Sequence, residues 1–221
     1  MKKIMLSDVR ENKDIRVYME RGNDVLCAKG FTEHSFIHSE LCAKNAAKIL
    51  EELGFSEREQ ELAKIAGFMH DIGNVVNRED HAHNGAIIAF TLLSSMEMEA
   101  EEIATVVSAI GNHDEKTGTP VSPVSAALIL ADKSDVRRSR VRSRDVASFD
   151  IHDRVNYSAT ESQVICDKEN GEIKLCLRVD TEHSTISEYF EIFLERMLMC
   201  RKAAEFLKMR FALEINGTKL M

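Results

Sequence analysis

Apolar residues recur three and four positions apart through much of the first 135 residues, which is the spacing of one face of an α-helix. The pattern predicts helices at 35–53, 57–73, 84–95, 99–111 and 122–135. Glycines and prolines such as Gly54, Gly118 and Pro120 lie between these runs and indicate short loops. The sequence therefore predicts a mainly α fold whose central part is a helical bundle.

The first thirty residues begin as polar chain and continue as a helix. Apolar side chains at Ile15, Tyr18, Met19 and Val25 share one side of this helix. We expect them to pack over the main bundle, which makes residues 1–30 an N-terminal extension that contains a helix.

The pattern changes near residue 148, the best candidate for the start of a C-terminal region at 148–221. From Ser162 to Val179, apolar and polar residues alternate around Asn170-Gly171, which is typical of a β-hairpin with a two-residue turn. Thr185 to Glu188 reads as a capping box that begins a long helix, and Arg210 to Ile215 could form a last strand. We expect a small α+β appendage with a structural or dimer-forming role.

Composition limits the classes of partner. Hydrophobic residues make up 44% of the chain and charged residues 30%, with a net charge of −8, so a soluble protein with a sizeable core is expected. The acidic balance disfavours a membrane surface or bulk nucleic acid as the partner. Five cysteines without a CxxC pair indicate reduced thiols. With no apolar stretch long enough for a signal peptide or a membrane span, we expect a cytoplasmic protein.

Histidine and aspartate are concentrated in short stretches. Six of the eight histidines fall between positions 34 and 113. The stretches are His34 to His38, Met69 to Gly73, His81 to Gly85, Gly111 to Asp114 and Ala131 to Asp135. Imidazoles mixed with carboxylates suit Fe, Mn, Ni, Co or Zn, whereas calcium and magnesium prefer oxygen ligands alone. The clustering predicts a transition-metal site.

The dipeptide His70-Asp71 is the most informative of these stretches because of what precedes it. Chance should supply roughly half of one His-Asp pair in such a chain, and this chain has three, so the pair alone proves little. His113-Asp114 and His152-Asp153 have polar surroundings, whereas His70-Asp71 ends an apolar helical run that begins at Leu62. An unpaired charge at the buried end of a helix would cost several kcal/mol, and a bound cation removes that cost.

The run from Thr32 to Arg144 resembles an HD-domain metal-dependent phosphohydrolase of the two-metal type. The resemblance implies a first histidine that opens a helix, the His-Asp pair, two more histidines and a late aspartate. Carried onto this sequence, the implied metal ligands are His38, His70, Asp71, His81, His113 and Asp132, with Asp71 bridging. His83 could replace His81 or hold a phosphate, and His34 could contact the substrate. The implied domain spans 31–147.

A basic stretch follows the last implied ligand. Between Lys133 and Arg144 six cations lie close together in an otherwise acidic chain. Arginine suits phosphate because its guanidinium donates two parallel hydrogen bonds. We select Lys133, Arg137 and Arg138 as candidates to clamp a phosphate beside the catalytic Asp71. The alternative is a solvated surface or a subunit contact. Nucleic acid is disfavoured because the stretch is short and lacks interleaved aromatic residues.

One departure from the family bears on the substrate. Many hydrolytic members read His-Asp-Ile-Gly-Lys, and this chain has Asn74 in place of the lysine. The glycine-tyrosine-proline signature of the cyclic-dinucleotide phosphodiesterases is also absent after His113. Activity on cyclic di-GMP is therefore disfavoured, and an arginine from the basic stretch could replace the missing lysine.

The resemblance implies hydrolysis of a phosphoester of a nucleotide, dinucleotide or other small phosphorylated molecule by a metal-activated hydroxide. The expected cofactor is one or two divalent transition metals, with Fe first and Mn, Ni, Co or Zn as alternatives. Two other functions stay open, a nucleotide-sensing module without turnover and a di-iron oxygenase. A homodimer is a further possibility that rests on the C-terminal appendage.

Overall fold

The computed structural model describes residues 3–33, 36–143 and 145–221. Over these residues the chain forms nine α-helices and a four-stranded sheet. The helices are α1 (Leu6–Glu11), α2 (Lys13–Ala28), α3 (Phe36–Glu52), α4 (Glu57–Met69), α5 (His81–Ser95), α6 (Ala100–Gly111), α7 (Pro123–Lys133), α8 (Ile151–Ser158) and α9 (Ile186–Phe206). The strands are β1 (Ala159–Asp167), β2 (Glu172–Val179), β3 (Arg210–Ile215) and β4 (Thr218–Lys219). The predicted mainly α fold with a small C-terminal α+β part is confirmed.

Helices α3 and α4 pack closely because small residues line their contact. Ala43 and Ala46 on α3 are buried, as are Ala63 and Ala66 on α4. A Cβ atom on Gly67 would lie 2.7 Å from the backbone nitrogen of Ala43, so α4 can approach α3 this closely only with glycine at that position. This approach places the end of α4 against the start of α3.

Helix α4 ends four residues earlier than the apolar pattern predicts. It begins at a capping box in which Ser56 and Glu59 each accept a hydrogen bond from the backbone amide of the other, and it ends at Met69 instead of residue 73. A short 3₁₀ turn, Ile72–Val75, follows. Gly73 is required here for space, because a Cβ atom on it would lie 2.0 Å from the carbonyl oxygen of His81.

Two other predicted boundaries are also wrong by a few residues. Helix α5 begins at His81 instead of residue 84. Helix α7 begins at Pro123, after the cap residue Ser122, and ends at Lys133 instead of 135. Between α7 and α8 the described residues are irregular apart from the 3₁₀ turns Arg138–Arg140 and Val146–Ser148. The basic stretch is therefore not the continuation of a helix.

The N-terminal segment packs on the bundle with a face that shares Ile15 and Met19 with the predicted one. Ile15, Gly22 and Leu26 are the buried residues of α2, and Tyr18 is 40% exposed. The segment before α2 is not simple polar chain, since α1 buries Leu6 and Val9.

The four strands lie in the order β1-β2-β3-β4, with β2 and β3 parallel and the outer pairs antiparallel. Helix α9 connects the two parallel strands and packs against α7 of the bundle. The β1–β2 connection has four residues, 168–171, so the predicted two-residue turn is wrong. Asp167 accepts hydrogen bonds from the backbone and side chain of Asn170, which stabilises the longer loop.

The C-terminal part shares its apolar core with the helical bundle. Tyr189, Phe193 and Met197 of α9 belong to the same buried cluster as Leu128 and Ile129 of α7. Among the described residues, no helix combines the length and the apolar character needed to cross a bilayer.

Candidate metal centre

The structure brings all six residues of the predicted ligand set together at the ends of five helices. His38 lies in the first turn of α3, His70 and Asp71 directly follow α4, and His81 is the first residue of α5. His113 follows α6, and Asp132 lies in the last turn of α7. The side chains of all six are mostly or fully buried.

One half of the cluster contains His38, His70, Asp71 and Asp132. The Nε2 atoms of His38 and His70 are 3.2 Å apart. An Oδ1 atom of Asp132 lies 3.3 Å from His38 Nε2 and 3.6 Å from His70 Nε2. Asp71 Oδ2 lies 3.4 Å from His70 Nε2 and 3.7 Å from His38 Nε2. Two imidazole nitrogens and two carboxylates therefore converge on one point.

The other half of the cluster contains Asp71, His81 and His113. The Nε2 atoms of His81 and His113 are 3.1 Å apart, and Asp71 Oδ1 lies 3.5 Å from His81 Nε2. Asp71 thus directs one carboxylate oxygen toward each half. The ligand atoms of His70, Asp71 and His113 also lie within 4.8 Å of one another, so the two halves are continuous.

In all four histidines of the cluster, the second ring nitrogen, Nδ1, lies beside a group that can accept a hydrogen bond but cannot donate one. Nδ1 of His38 bonds the carboxylate of Asp135 at 2.7 Å. The remaining three bond backbone carbonyl oxygens, His70 to Gly67, His81 to Arg78 and His113 to Ile110. Each Nδ1 must therefore carry a proton, which leaves the lone pair of a neutral ring on Nε2. Lone pairs that face one another at 3.1–3.2 Å repel unless a cation lies between them.

The pKa values of the clustered histidines also indicate that a cation between them would be stabilised. Burial lowers the pKa of His70, but Asp71 and Asp132 outweigh burial and raise it to about 10. Burial, together with the neighbouring histidines, holds the pKa of His113 well below its usual value, and burial also lowers that of His81. His81 and His113 are therefore neutral imidazoles at pH 7, the form that binds metals. The residues fit a transition-metal centre on these grounds.

Asn74 holds the central carboxylate. Its Nδ2 atom donates to Asp71 Oδ1 at 2.8 Å and to the backbone oxygen of Asp71 at 2.9 Å. The position at which many family members have a lysine is thus used here to orient Asp71.

Lys133 lies beside the cluster and is buried. Its Nζ atom lies 2.8 Å from Asp132 Oδ2 and 2.6 Å from Glu115 Oε2. Burial raises the pKa of Glu115, but Lys133 and Arg196 outweigh it and bring that pKa to about 2. Burial lowers the pKa of Lys133, but Asp132 and Glu115 outweigh it and raise that pKa. All these groups are charged at pH 7.

Arg137 and Arg138, the other two candidate phosphate clamps, bond to partners outside the six-residue cluster, and neither lines the cavity beside it. Arg137 bonds Asp135 Oδ1 through Nε at 2.7 Å. Arg138 donates to the carbonyl oxygen of Tyr157 and stacks 4.3 Å above its ring. The cause is the end of α7 at Lys133, after which the extended chain directs both arginines toward other partners.

Three other arginines line the cavity beside the cluster. They are Arg78, Arg140 and Arg196. Arg78 precedes α5 in a polar loop, Arg140 belongs to the basic stretch, and Arg196 comes from α9. Arg140 lies in the stretch whose charge attracts attention, but nothing in the sequence selects Arg78 or Arg196.

His83 does not join the cluster. The side chain of His83 is 56% exposed and its nearest ionic partner is Asp80, at 3.9 Å. Because α5 begins at His81, residues two positions apart point to nearly opposite sides, which separates His83 from His81. His34 lies outside the described residues.

Cys42, one helical turn after His38, packs against the cluster. Its Sγ atom lies 3.7 Å from each ring nitrogen of His38. Burial raises the pKa of this thiol well above its usual value, with Asp132 and Asp135 adding to the effect, so it is a neutral neighbour of the histidines.

An archaeal protein and a bacterial protein of known structure are among the proteins similar to this chain. A protein of Methanocaldococcus jannaschii described as uncharacterized is 25% identical over 174 residues, which span 68% of this chain and 66% of that protein. The chain thus spans just under two thirds of that relative. A crystal structure of a predicted HD superfamily hydrolase from an uncultured Thermotogales bacterium is 25% identical, with a TM-score of 0.46 over 61% of this chain and 75% of that one.

The family assignment rests on a match that covers the whole metal centre. Residues 35–154, just over half of the 221, match the family model described as HD domain. All six clustered residues and the helices that carry them fall within this range. The chain belongs to the HD domain family.

Proposed function

We propose that the protein is a metal-dependent phosphohydrolase that cleaves a phosphoester of a nucleotide or another small phosphorylated molecule. The observation that carries the proposal is the convergence of four imidazole Nε2 atoms and two carboxylates, with Asp71 between the two halves. A mixed set of this kind suits one or two divalent transition metals, with Fe first and Mn, Ni, Co or Zn as alternatives.

The two halves of the cluster would hold one metal each. His38, His70 and Asp132 would serve the first, His81 and His113 the second, and Asp71 would serve both. Bound metals would supply Lewis acidity that lowers the pKa of a water molecule and neutralises charge on a phosphoryl group.

The chain's own residues prepare the site for an anion. Asn74 fixes the orientation of Asp71, and Asp135 fixes the ring of His38. Lys133 holds a proton firmly between Asp132 and Glu115, so it can bind a phosphoryl oxygen as a cation. Burial of the cluster lowers the local dielectric, which strengthens each of these interactions.

His81 and His83 offer a matched pair of variants to test the proposal. Both are histidines in the first turn of α5, but only His81 faces the cluster. His81→Ala should lose metal and lower hydrolysis at least 100-fold, whereas His83→Ala should change neither. Elemental analysis of protein purified without chelator or affinity nickel, with a hydrolysis screen, measures both properties. Far-ultraviolet circular dichroism verifies that each variant is folded.

Two results would contradict the proposal. The first is equal metal content and activity in His81→Ala and wild type, which would remove His81 from the centre. The second is no turnover of any phosphoester after reconstitution with Fe, Mn or Co. Tight nucleotide binding without product would then favour a sensing module.

A further inference from the structure

Two neighbouring spaces lie beside the metal centre, an inner cavity and an outer cleft. The inner cavity is narrow, about 10 Å³, and every residue around it is ionisable. The outer cleft has a volume of about 710 Å³, which is in the range of small-molecule pockets. Arg78 lines both spaces, so they lie next to each other at its side chain. Only a small reacting group can approach the cluster, while the body of a substrate must lie in the outer cleft.

Charge is distributed unequally between the two spaces. The inner cavity has four cations, Arg78, Lys133, Arg140 and Arg196, against the two carboxylates Asp71 and Asp132. The outer cleft has three cations, Lys29, Arg78 and Lys116, against the four carboxylates Glu79, Asp80, Asp114 and Glu115. The inner cavity therefore attracts an anion, whereas the outer cleft disfavours one.

The outer cleft also contains groups that suit an uncharged, hydroxylated molecule. Phe31 is 42% exposed and offers an aromatic face to a base or to the apolar side of a sugar. The carboxylates of Asp114 and Glu79 can accept hydrogen bonds from hydroxyl groups. A polyphosphate chain placed here would instead meet these carboxylates.

Of the four cations around the inner cavity, which we call the anion site, Arg196 comes from the C-terminal part of the chain. It lies on α9, and its guanidinium stacks 4.5 Å from the centre of the Phe193 ring. Its Nε atom bonds Glu115 Oε1 at 3.4 Å, and Glu115 in turn bonds Lys133. Among the described residues, Arg196 makes no other hydrogen bond. Its two Nη atoms are therefore available to bind an anion.

We propose, on the basis of the function proposed above, that the substrate is a phosphomonoester of a nucleoside or sugar. Its single phosphate lies where the two spaces adjoin, between Arg78 and Arg196, and its uncharged body lies against Phe31. In the reaction the oxygen of water bonds to phosphorus and the ester P–O bond breaks. The leaving oxygen takes one proton of the water and departs as an alcohol, and orthophosphate keeps the other.

A substrate panel on the metal-loaded protein tests this assignment. The panel contains nucleoside 5′-monophosphates, glucose 6-phosphate and p-nitrophenyl phosphate as monoesters, bis(p-nitrophenyl) phosphate as a diester, and ATP as a polyphosphate. We expect kcat/KM for the best monoester to exceed that for the diester and for ATP at least 100-fold. Preference for the diester or ATP would overturn the monoester assignment and leave the phosphohydrolase proposal standing. No turnover of any compound would overturn both.

A second pair of variants tests the contribution of α9. Arg196→Gln should raise KM for the monoester and the inhibition constant of orthophosphate roughly 10- to 100-fold, because a charged hydrogen-bonding group is lost. Metal content should not change. Arg201→Gln is the matched control, since Arg201 lies on the same helix and is 52% exposed. Equal orthophosphate inhibition of Arg196→Gln and wild type would remove Arg196 from the anion site.

Discussion

Substitution of Gly67 by alanine should damage the metal centre although no ligand is changed. A Cβ atom at this position would lie 2.7 Å from the nitrogen and 2.8 Å from the Cα atom of Ala43, and 2.8 Å from the carbonyl carbon of Cys42. Ordinary contacts of this kind begin at 3.4 Å, so α3 and α4 must separate locally by the difference, about 0.7 Å. All three contacts are backbone atoms and cannot rotate away.

The expected cost follows from two opposing effects. Overpacking of a core costs about 1–3 kcal/mol, and the backbone contacts place Gly67→Ala at the upper end of that range. The higher helix propensity of alanine stabilises the folded state by about 1 kcal/mol and offsets part of this cost. The net loss in the free energy of unfolding is therefore about 2 kcal/mol. Because His38 lies on α3 and His70 directly follows α4, their 3.2 Å Nε2 separation should also lengthen, which should weaken metal binding.

Urea unfolding of the metal-free protein and elemental analysis after dialysis measure the two effects. Gly111→Ala is the control, because a Cβ atom there meets only the Cβ atom of Ala86, at 3.5 Å. This variant should be at least as stable as wild type, because alanine adds up to about 1 kcal/mol of helix propensity without a clash, and it should keep its metal. If Gly67→Ala is as stable as wild type and binds metal equally well, the close approach of α3 and α4 does not position the site.

Two further predictions concern groups outside the ligand set. Asp135→Asn removes the charge that holds Nδ1 of His38, so it should weaken metal binding roughly 10- to 100-fold in a chelator competition assay, and an unchanged affinity would refute this role. A hydrogen bond from Arg58 lowers the pKa of Glu102 below its usual 4.5, so this pair stabilises the fold above pH 4.5 and the effect is lost as pH falls through the lower, folded-state pKa. Glu102→Gln should therefore lower stability at pH 7 and reduce its dependence on pH below 4.5; an unchanged acid limb in urea unfolding would contradict this.

The helices of the bundle could be predicted because apolar residues recur along each of them, on one face in helices such as α6 and on all sides in α7. The repeat of apolar residues is a local property, and it located every helix between residues 35 and 135 to within a few positions. The ends were less accurate at the metal centre. His70 and Asp71 follow α4 in a turn instead of belonging to its last helical residues, and His81 begins α5 instead of preceding it. These helix ends are determined by how the six clustered residues pack together. That packing depends on residues that are far apart in the sequence.

The short stretches of histidine and aspartate are visible in the sequence, and the family resemblance selects from them six candidate ligands that the structure places together. Their partners could not be predicted in the same way. Asp135 differs from other aspartates only because it meets His38, 97 positions earlier in the chain. Arg140 and Arg137 belong to one basic stretch, and only the path of the chain after α7 directs Arg140 to the cavity and Arg137 away from it.

The role of the C-terminal part illustrates the same limit most clearly. Its alternating residues predicted β1 and β2, and the amphipathic pattern predicted α9, but neither pattern reports what α9 contacts. Phe193 and Met197 are buried where α9 packs on the bundle, and Arg196 lies between them in sequence at the margin of that face. Since α7 carries Asp132 and Lys133, packing of α9 on α7 is sufficient to bring Arg196 to the cavity. A region that was predicted to be a structural appendage therefore lines the cavity. The packing of α9 on α7 that buries Phe193 and Met197 also places the guanidinium of Arg196 beside the cavity.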